Sequence, residues 1–209
     1  MIVLGTNNRK KGIELAEFLT PYHIEVRTLA DFDQKLDVIE DGQTFLDNAR
    51  KKAVEQARFL NAWVVGEDSG LCVDALKGAP GVHSARFAAL SDTGNASDED
   101  NNRMLLEKLA HVPLEKRTAH YVCTAVLADP TGKVHGEAEG MCRGRILLKH
   151  SGEGGFGYDP LFEVVEYRQT FGTLPPAVKR AISHRARAIR KLIPIIVSCV
   201  VPLRGALEN

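Results

Sequence analysis

Glu67 and Asp68 follow the apolar run Ala62-Trp63-Val64-Val65 and are bracketed by Gly66 and by Ser69-Gly70. Ligands of open α/β sheets bind beyond the carboxyl ends of strands, so two acids at the end of an apolar strand suit a cleft. The glycines would let the backbone bend tightly around them, although Asp, Ser and Gly also build plain surface turns. A second group is Gly5-Thr6-Asn7-Asn8-Arg9-Lys10-Lys11. Its amides, hydroxyl and cations have the chemistry of a phosphate cradle. The spacing is not that of a Walker loop, and a solvated turn would use the same residue types.

Three further groups carry chemistry. Glu40 and Asp41 precede a helical stretch on which Thr44, Asn48 and Lys52 fall at i, i+4 and i+8, one face of a helix. Gly154-Gly155-Phe156-Gly157-Tyr158-Asp159 wraps aromatics in glycines and ends in an acid, which suits a stacked base. Lys179 and Ser183-His184-Arg185 stand at a helix start. The other histidines, His23, His83, His111, His120, His135 and His150, have no H-x-x-x-H or H-E-x-x-H spacing and read as structural or surface residues. A metal here would be held by oxygen, and carboxylates facing phosphates suit Mg2+.

Positioning these groups needs an alternation of strands and helices. Ile2 to Gly5 reads as a buried strand, Lys10 to Leu19 as a helix and Ile24 to Val26 as a second strand. Thr44 to Leu60 has the stripe Phe45, Ala49, Ala53, Ala57 and Leu60, with Thr44 and Asp47 spaced as a capping box. Trp63 to Glu67 reads as a strand buried on both faces, placing the acids at its C-terminal end. Asp98 to Leu109 is predicted helical, Tyr121 to Ala128 and Val134 to Ala138 form a hairpin, and Ser151 to Asp159 is a glycine-rich loop. Ser183 to Leu192 is a basic helix with Ser183 as N-cap. The pattern predicts an α/β fold with a mixed central sheet flanked by helices and one antiparallel hairpin.

At 209 residues, with no linker or repeat, the chain reads as one domain over residues 1–209. Lysine plus arginine equals aspartate plus glutamate at 27 each, so no overall field favours nucleic acid or an anionic membrane. The start MIVLGTNNRKK is too short in apolar residues for a signal peptide. Cys72, Cys123, Cys142 and Cys199 form no C-x-x-C pair, which fits reduced cytoplasmic thiols rather than zinc. The run Leu192 to Leu203 falls below the roughly 18 residues of a membrane span and reads as buried or dimer-facing.

TNNRKKGIEL, EDGQTFLDNARKKA, GEDSGLCVDALKGAPGVHSARF, GEGGFGYDPLF and KRAISHRARAI, in this order from Thr6 to Ile189, resemble the inosine triphosphate pyrophosphatase family. The resemblance implies that the hairpin belongs to one of two lobes with the active site in a cleft between them. It also implies Mg2+-dependent hydrolysis of ITP, dITP and XTP to monophosphate and pyrophosphate by a cytoplasmic homodimer. Water would attack the α-phosphorus with Asp68 as proton acceptor. Glu40 and Asp68, with Glu67 as acidic neighbour, match the metal carboxylates. Thr6, Asn7, Asn8, Arg9, Lys10 and Lys11 match the phosphate loop. Lys52 matches a phosphate lysine and Ser69 a substrate contact, while Phe156, Gly157, Tyr158 and Asp159 match the base pocket. Lys179, His184 and Arg185 match further substrate contacts. The chain departs from the family at Asn7, where glycine is common, at Ala177-Val178, where acids are usual, and in its tail beyond Ile193. A phosphohydrolase releasing orthophosphate, or a nucleotide-binding module without catalysis, remain the alternatives; nucleic-acid binding is the reading least supported by the charge balance.

Overall fold

The computed structural model describes residues 1–34, 36–89 and 96–201. Its strands are β1 (Ile2–Leu4), β2 (Val26–Thr28), β3 (Val64–Val73), β4 (Thr118–Ala128), β5 (Val134–Ile146), β6 (Phe162–Val164) and β7 (Gln169–Thr170). The helices are α1 (Arg9–Leu19), α2 (Phe45–Leu60), α3 (Asp98–Lys108), α4 (Pro176–Ile182) and α5 (His184–Val200). One seven-stranded sheet has the order β2-β1-β3-β4-β5-β6-β7. It is mixed, as the sequence pattern implied: β1 runs parallel to β2 and β3, whereas β6 runs antiparallel to β5 and β7.

The chain divides into two compact units, the first Met1–Asp68, Cys123–Gly140 and Arg185–Asn209, the second Ser69–Val122 and Met141–His184. In the first unit, Ile2, Leu4, Leu15, Leu19 and Val65 pack with Ala188, Ile189, Leu192 and Ile196 of α5. A further cluster joins Val3 and Val64 to Ala49, Ala53 and Ala57 of α2. The second unit buries Leu71, Leu105, Tyr121, Tyr158, Phe162 and Phe171 in one cluster.

Helix α2 forms where the sequence places it. Thr44 caps it by accepting from the Asp47 amide, Asp47 returns the bond in a capping box, and Asn61 ends it in the left-handed region at φ 47°. Ala49, Ala53 and Ala57 are fully buried. Such small residues bring the helix so close to β3 that a Cβ at Gly66 would run into backbone atoms of Ala49 and Ala53.

Strand β3 differs from expectation, because it continues through Glu67 and Asp68 to Val73. The acids lie in its middle rather than at its end. Leu71 and Val73 are fully buried and keep the segment extended, and Glu67 is paired with cations, so neither acid has to escape to water. The strand that does end nearby is β1: its register with β3 stops at Leu4↔Val65, and Gly5 donates its amide to the Val65 carbonyl. Glu67 and Asp68 therefore follow the carboxyl end of β1, the edge from which the β1–α1 turn departs.

Strand β2 starts at Val26, two residues later than the onset read from the sequence. The basic helix beginning near Ser183 runs on to Val200, with Pro194 inside it. Leu192 and Ile196 are buried in the first-unit core, as the apolar run implied, while Pro202 and Leu203 of that run lie outside the described residues. No described helix is long and apolar enough to cross a membrane.

Candidate active site

The first unit gathers an acid-and-base network. Asn48 and Lys52, one helical turn apart on α2, both reach Asp68. The Asn48 amide donates to Asp68 Oδ2 at 3.0 Å, and Lys52 Nζ lies 3.4 Å from Oδ1. Lys52 also donates to Glu40 Oε2 at 2.9 Å, so one ammonium is accepted by two carboxylates. Asn48 Oδ1 takes the Gly42 amide at 2.8 Å and thereby ties down the segment that carries Glu40. Asp41 pairs with Lys51 instead, at 2.5 Å.

Glu67 is almost fully buried and ion-paired on two sides. Lys11 Nζ stands 2.7 Å from Oε1, and the Arg185 guanidinium donates through Nε to Oε1 and Oε2 at 3.2 and 3.1 Å. Arg185 also reaches Glu14 at 3.4 Å. Burial by itself would raise the Glu67 carboxyl, but Arg185 and Lys11 hold it well below the usual carboxylate range. The neighbouring acid behaves oppositely. Burial pushes Asp68 above its ordinary value, although the Lys52 charge and the Asn48 hydrogen bond oppose the shift. Adjacent carboxylates thus have opposite shifts, Glu67 lowered by its cations and Asp68 raised by burial.

The β1–α1 turn supplies the cations selectively. Asn8 caps α1, its Oδ1 accepting the Lys10 and Lys11 amides at 3.0 and 3.3 Å, and Thr6 Oγ1 accepts the Asn8 amide at 3.2 Å. Lys11 faces Glu67, whereas Arg9 bonds Asp31 at 2.9 Å and Ala30 O at 3.2 Å. Asn7 and Lys10 are exposed. Of the six residues expected to cradle phosphate, Lys11 is the one whose charge joins the buried network.

In the second unit, Asp159 organises the glycine loop. Its Oδ2 accepts the Phe156 amide at 2.8 Å and Lys179 Nζ at 2.6 Å. Gly155 is left-handed at φ 81°, and a Cβ there would strike the Asp159 carboxylate. Lys179 sits 5.0 Å from the Phe156 ring centroid. Tyr158 is buried, its hydroxyl donating to Ser84 O at 2.7 Å, so it anchors the loop. Helix α3 grips the same loop: Asp98 accepts the Gly157 amide at 2.7 Å and Asn102 donates to its carbonyl at 2.9 Å. His184 is buried with its ring stacked on Tyr121, 4.6 Å between centroids. Ser69, half-buried, begins this unit.

The family model described as the Ham1 family matches residues 2–195. The chain belongs to the Ham1 family. It is 51% identical over 199 residues to a dITP/XTP pyrophosphatase of Rhodopirellula baltica, covering 95% of this chain and 94% of that protein. With the protein of the same name from Desulforamulus reducens it shares 50% over 196 residues, covering 93% and 94%. Among solved structures, a HAM1 protein from Coxiella burnetii superposes with a TM-score of 0.84 at 33% identity, covering 94% of this chain and 98% of that one. The Ham1 protein of Staphylococcus aureus gives 0.82 at 36%, with the same coverage.

Within this Ham1 chain, Glu14, Asp98 and Asn102 join these networks without having stood out in the sequence, and Asn48, noted there only for sharing a helix face with Lys52, bonds Asp68 directly. Asn48 had a legible signal, lying four residues before Lys52 on one helix face. Glu14, Asp98 and Asn102 had none, since their partners are distant in sequence.

Proposed function

We propose that this Ham1-family chain, as one catalytic domain over residues 1–209, hydrolyses noncanonical purine nucleoside triphosphates (ITP, dITP and XTP) to the monophosphate and pyrophosphate. The observation that carries the reading is the pair Glu40 and Asp68 sharing the Lys52 ammonium at 2.9 and 3.4 Å. Two carboxylates accepting positive charge between them form an oxygen-only donor set that fits a hard divalent cation. Among the described residues no group of three or more His, Cys, Asp or Glu side chains could hold a metal. Mg2+ does not need one, because it commonly uses one or two carboxylates, waters and substrate phosphates. Glu40 and Asp68 would hold it, and when bound it would neutralise phosphate charge and polarise the phosphorus. Glu67, paired with Lys11 and Arg185, then acts as the counterion that fixes Lys11.

The protein's own groups divide the remaining work. Asp68, its carboxyl raised by burial, accepts the proton of the water that attacks the α-phosphorus. Lys11 and Lys52 balance the charge that moves onto pyrophosphate. Thr6, Asn7, Asn8, Arg9 and Lys10 are proposed to line the phosphate path through their side chains, since the Thr6, Asn8 and Lys10 amides are taken up within the turn. Phe156 offers an aromatic face, and Ser69, Gly157, Tyr158, Asp159, Lys179, His184 and Arg185 are proposed as contacts to the rest of the nucleotide or as supports of those contacts. A 6-oxo purine presents an acceptor where adenine presents an amino donor. Opposing donors in a buried site would cost about 1–3 kcal/mol per unmatched group.

The relatives bearing the name dITP/XTP pyrophosphatase support this reading, and the four free cysteines suit a reducing cytoplasm. A homodimer is proposed on the family resemblance, and sedimentation velocity tests it by whether the protein runs at the mass of two chains. The deciding experiment incubates the protein and magnesium with ITP, dITP, XTP, GTP and ATP and measures pyrophosphate and orthophosphate separately. Pyrophosphate release with strong preference for the first three is expected. Orthophosphate as the product would favour a terminal phosphohydrolase, and no turnover would leave a binding module.

A further inference from the structure

Away from this network, the first unit aligns a cysteine, a histidine and an aspartate. Asp129, in the turn between β4 and β5, places Oδ2 at 2.7 Å from Nε2 of His135 on β5. Its other oxygen accepts the Thr131 amide and hydroxyl at 2.8 and 2.6 Å and the Lys133 amide at 3.1 Å, which locks the carboxylate in place. Those bonds, with His135, hold Asp129 well below the usual carboxylate range. An anion at Nε2 selects the tautomer with its proton there, leaving the Nδ1 lone pair open as an acceptor. Nδ1 lies 3.8 Å from Cys199 Sγ on α5, within reach of the large sulfur, and the Ser198 hydroxyl is 3.9 Å from the same Sγ. Trp63 packs against the imidazole at 4.9 Å between centroids, restricting its rotation. Nucleophile, base and orienting acid in series are the arrangement that activates a weak nucleophile.

The four thiols are not equivalent. Cys123 and Cys142 are buried, while Cys199 and Cys72 are half-buried. Burial and the nearby Glu67 charge push the Cys123 thiol up to about 12, so it stays protonated and inert.

We propose that Cys199 is a covalent modification site, a base-assisted thiol that reacts with small disulfides, with His135 as proton acceptor and Asp129 as the group that orients it. The thiol proton passes to Nδ1 and the sulfur attacks one sulfur of the disulfide. That S–S bond breaks as the Cys199 mixed disulfide forms, and the departing thiolate takes the proton back from Nδ1. Cys199 is oxidised, and the second half of the reagent leaves as a reduced thiol. None of these groups belongs to the Glu40–Lys52–Asp68 network, so the inference does not depend on the proposed hydrolysis.

The test treats the native protein with oxidised glutathione, quenches with acid and follows each cysteine by peptide mass spectrometry. Cys199 is expected to react at least about tenfold faster than Cys72, a conservative share of what a positioned base supplies. In His135→Phe, which keeps a ring against Trp63, the Cys199 rate should fall about tenfold while the Cys72 rate stays unchanged. Equal rates at Cys199 and Cys72 in the wild type, or a Cys199 rate indifferent to His135→Phe, would overturn the proposal. Modification of Cys123 and Cys142 would reveal a variant that had opened, and the wild-type comparison then decides alone.

Discussion

Asn48 and Asp68, 20 residues apart in sequence, meet at 3.0 Å, with the Asn48 amide donating to Oδ2 of the carboxylate whose Oδ1 lies 3.4 Å from Lys52 Nζ. Asn48 is 1% exposed, so its replacement leaves both Asp68 Oδ2 and the Gly42 amide without this partner. Losing a hydrogen bond to a charged group costs about 1.5–3 kcal/mol. Asn48→Leu should therefore lower kcat by roughly 10- to 100-fold. The same bond holds the Asp68 carboxyl down against burial. Its removal raises that carboxyl further, and a base that must be deprotonated then loses activity at higher pH. The acidic limb of kcat/KM against pH should shift upward in the variant, and an unmoved limb would separate Asn48 from the proton acceptor.

Glu67 offers a stability test. Its folded carboxyl is held below the ordinary value of 4.5 by Arg185 and Lys11 in spite of burial. The stabilisation is complete above that ordinary value and is lost as pH falls below it, because the folded state must take up a proton it binds weakly. Thermal melts should show the wild type losing Tm steeply on acidification below 4.5, and Glu67→Gln much less so. At neutral pH the variant leaves two cations without their buried partner, a cost of about 3–5 kcal/mol. Parallel Tm-versus-pH curves would show that the ion pair does not carry the acid sensitivity.

The split between what could and could not be read from the sequence follows the range of each interaction. The capping box of Thr44 and Asp47 and the alanine stripe are local, so α2 and the shared face of Asn48 and Lys52 were legible. The full length of β3 is not legible locally, because the burial of Glu67 depends on Arg185, 118 residues further along. Without that cation, adjacent acids look like the end of a strand. Asp98 was invisible as a loop anchor for the same reason, since Gly157 lies 59 residues away. Tyr158 read as a stacking ring because its hydroxyl partner, Ser84 O, is set by tertiary structure alone.

The grip of α3 on the glycine loop predicts a separation of kinetic constants. Asp98 accepts the Gly157 amide, a bond that an asparagine Oδ1 could keep and an alanine could not. Asp98→Ala should raise KM for ITP several-fold with kcat largely retained, because the Asp68 network is untouched, and Asp98→Asn should restore KM. A loss of kcat equal to the rise in KM would instead indicate general unfolding, which the melting curve would register.

Gly66 and Gly5 form a matched pair for the packing of α2 against β3. A Cβ at Gly66 would meet the Ala49 carbonyl and the Ala53 backbone, atoms that cannot rotate aside. At Gly5 the nearest atoms stand at 3.5 to 3.7 Å, ordinary van der Waals contact. Neither residue has a left-handed backbone, so the comparison isolates space from conformational strain. Gly66→Ala should lose about 1–3 kcal/mol of stability, and by lifting α2 it should also draw Asn48 and Lys52 away from Asp68 and reduce turnover. Gly5→Ala should leave the unfolding free energy within about 0.5 kcal/mol of the wild type. Equal tolerance of both substitutions, measured by thermal and denaturant unfolding, would mean that the close approach of α2 is not what positions the acid network.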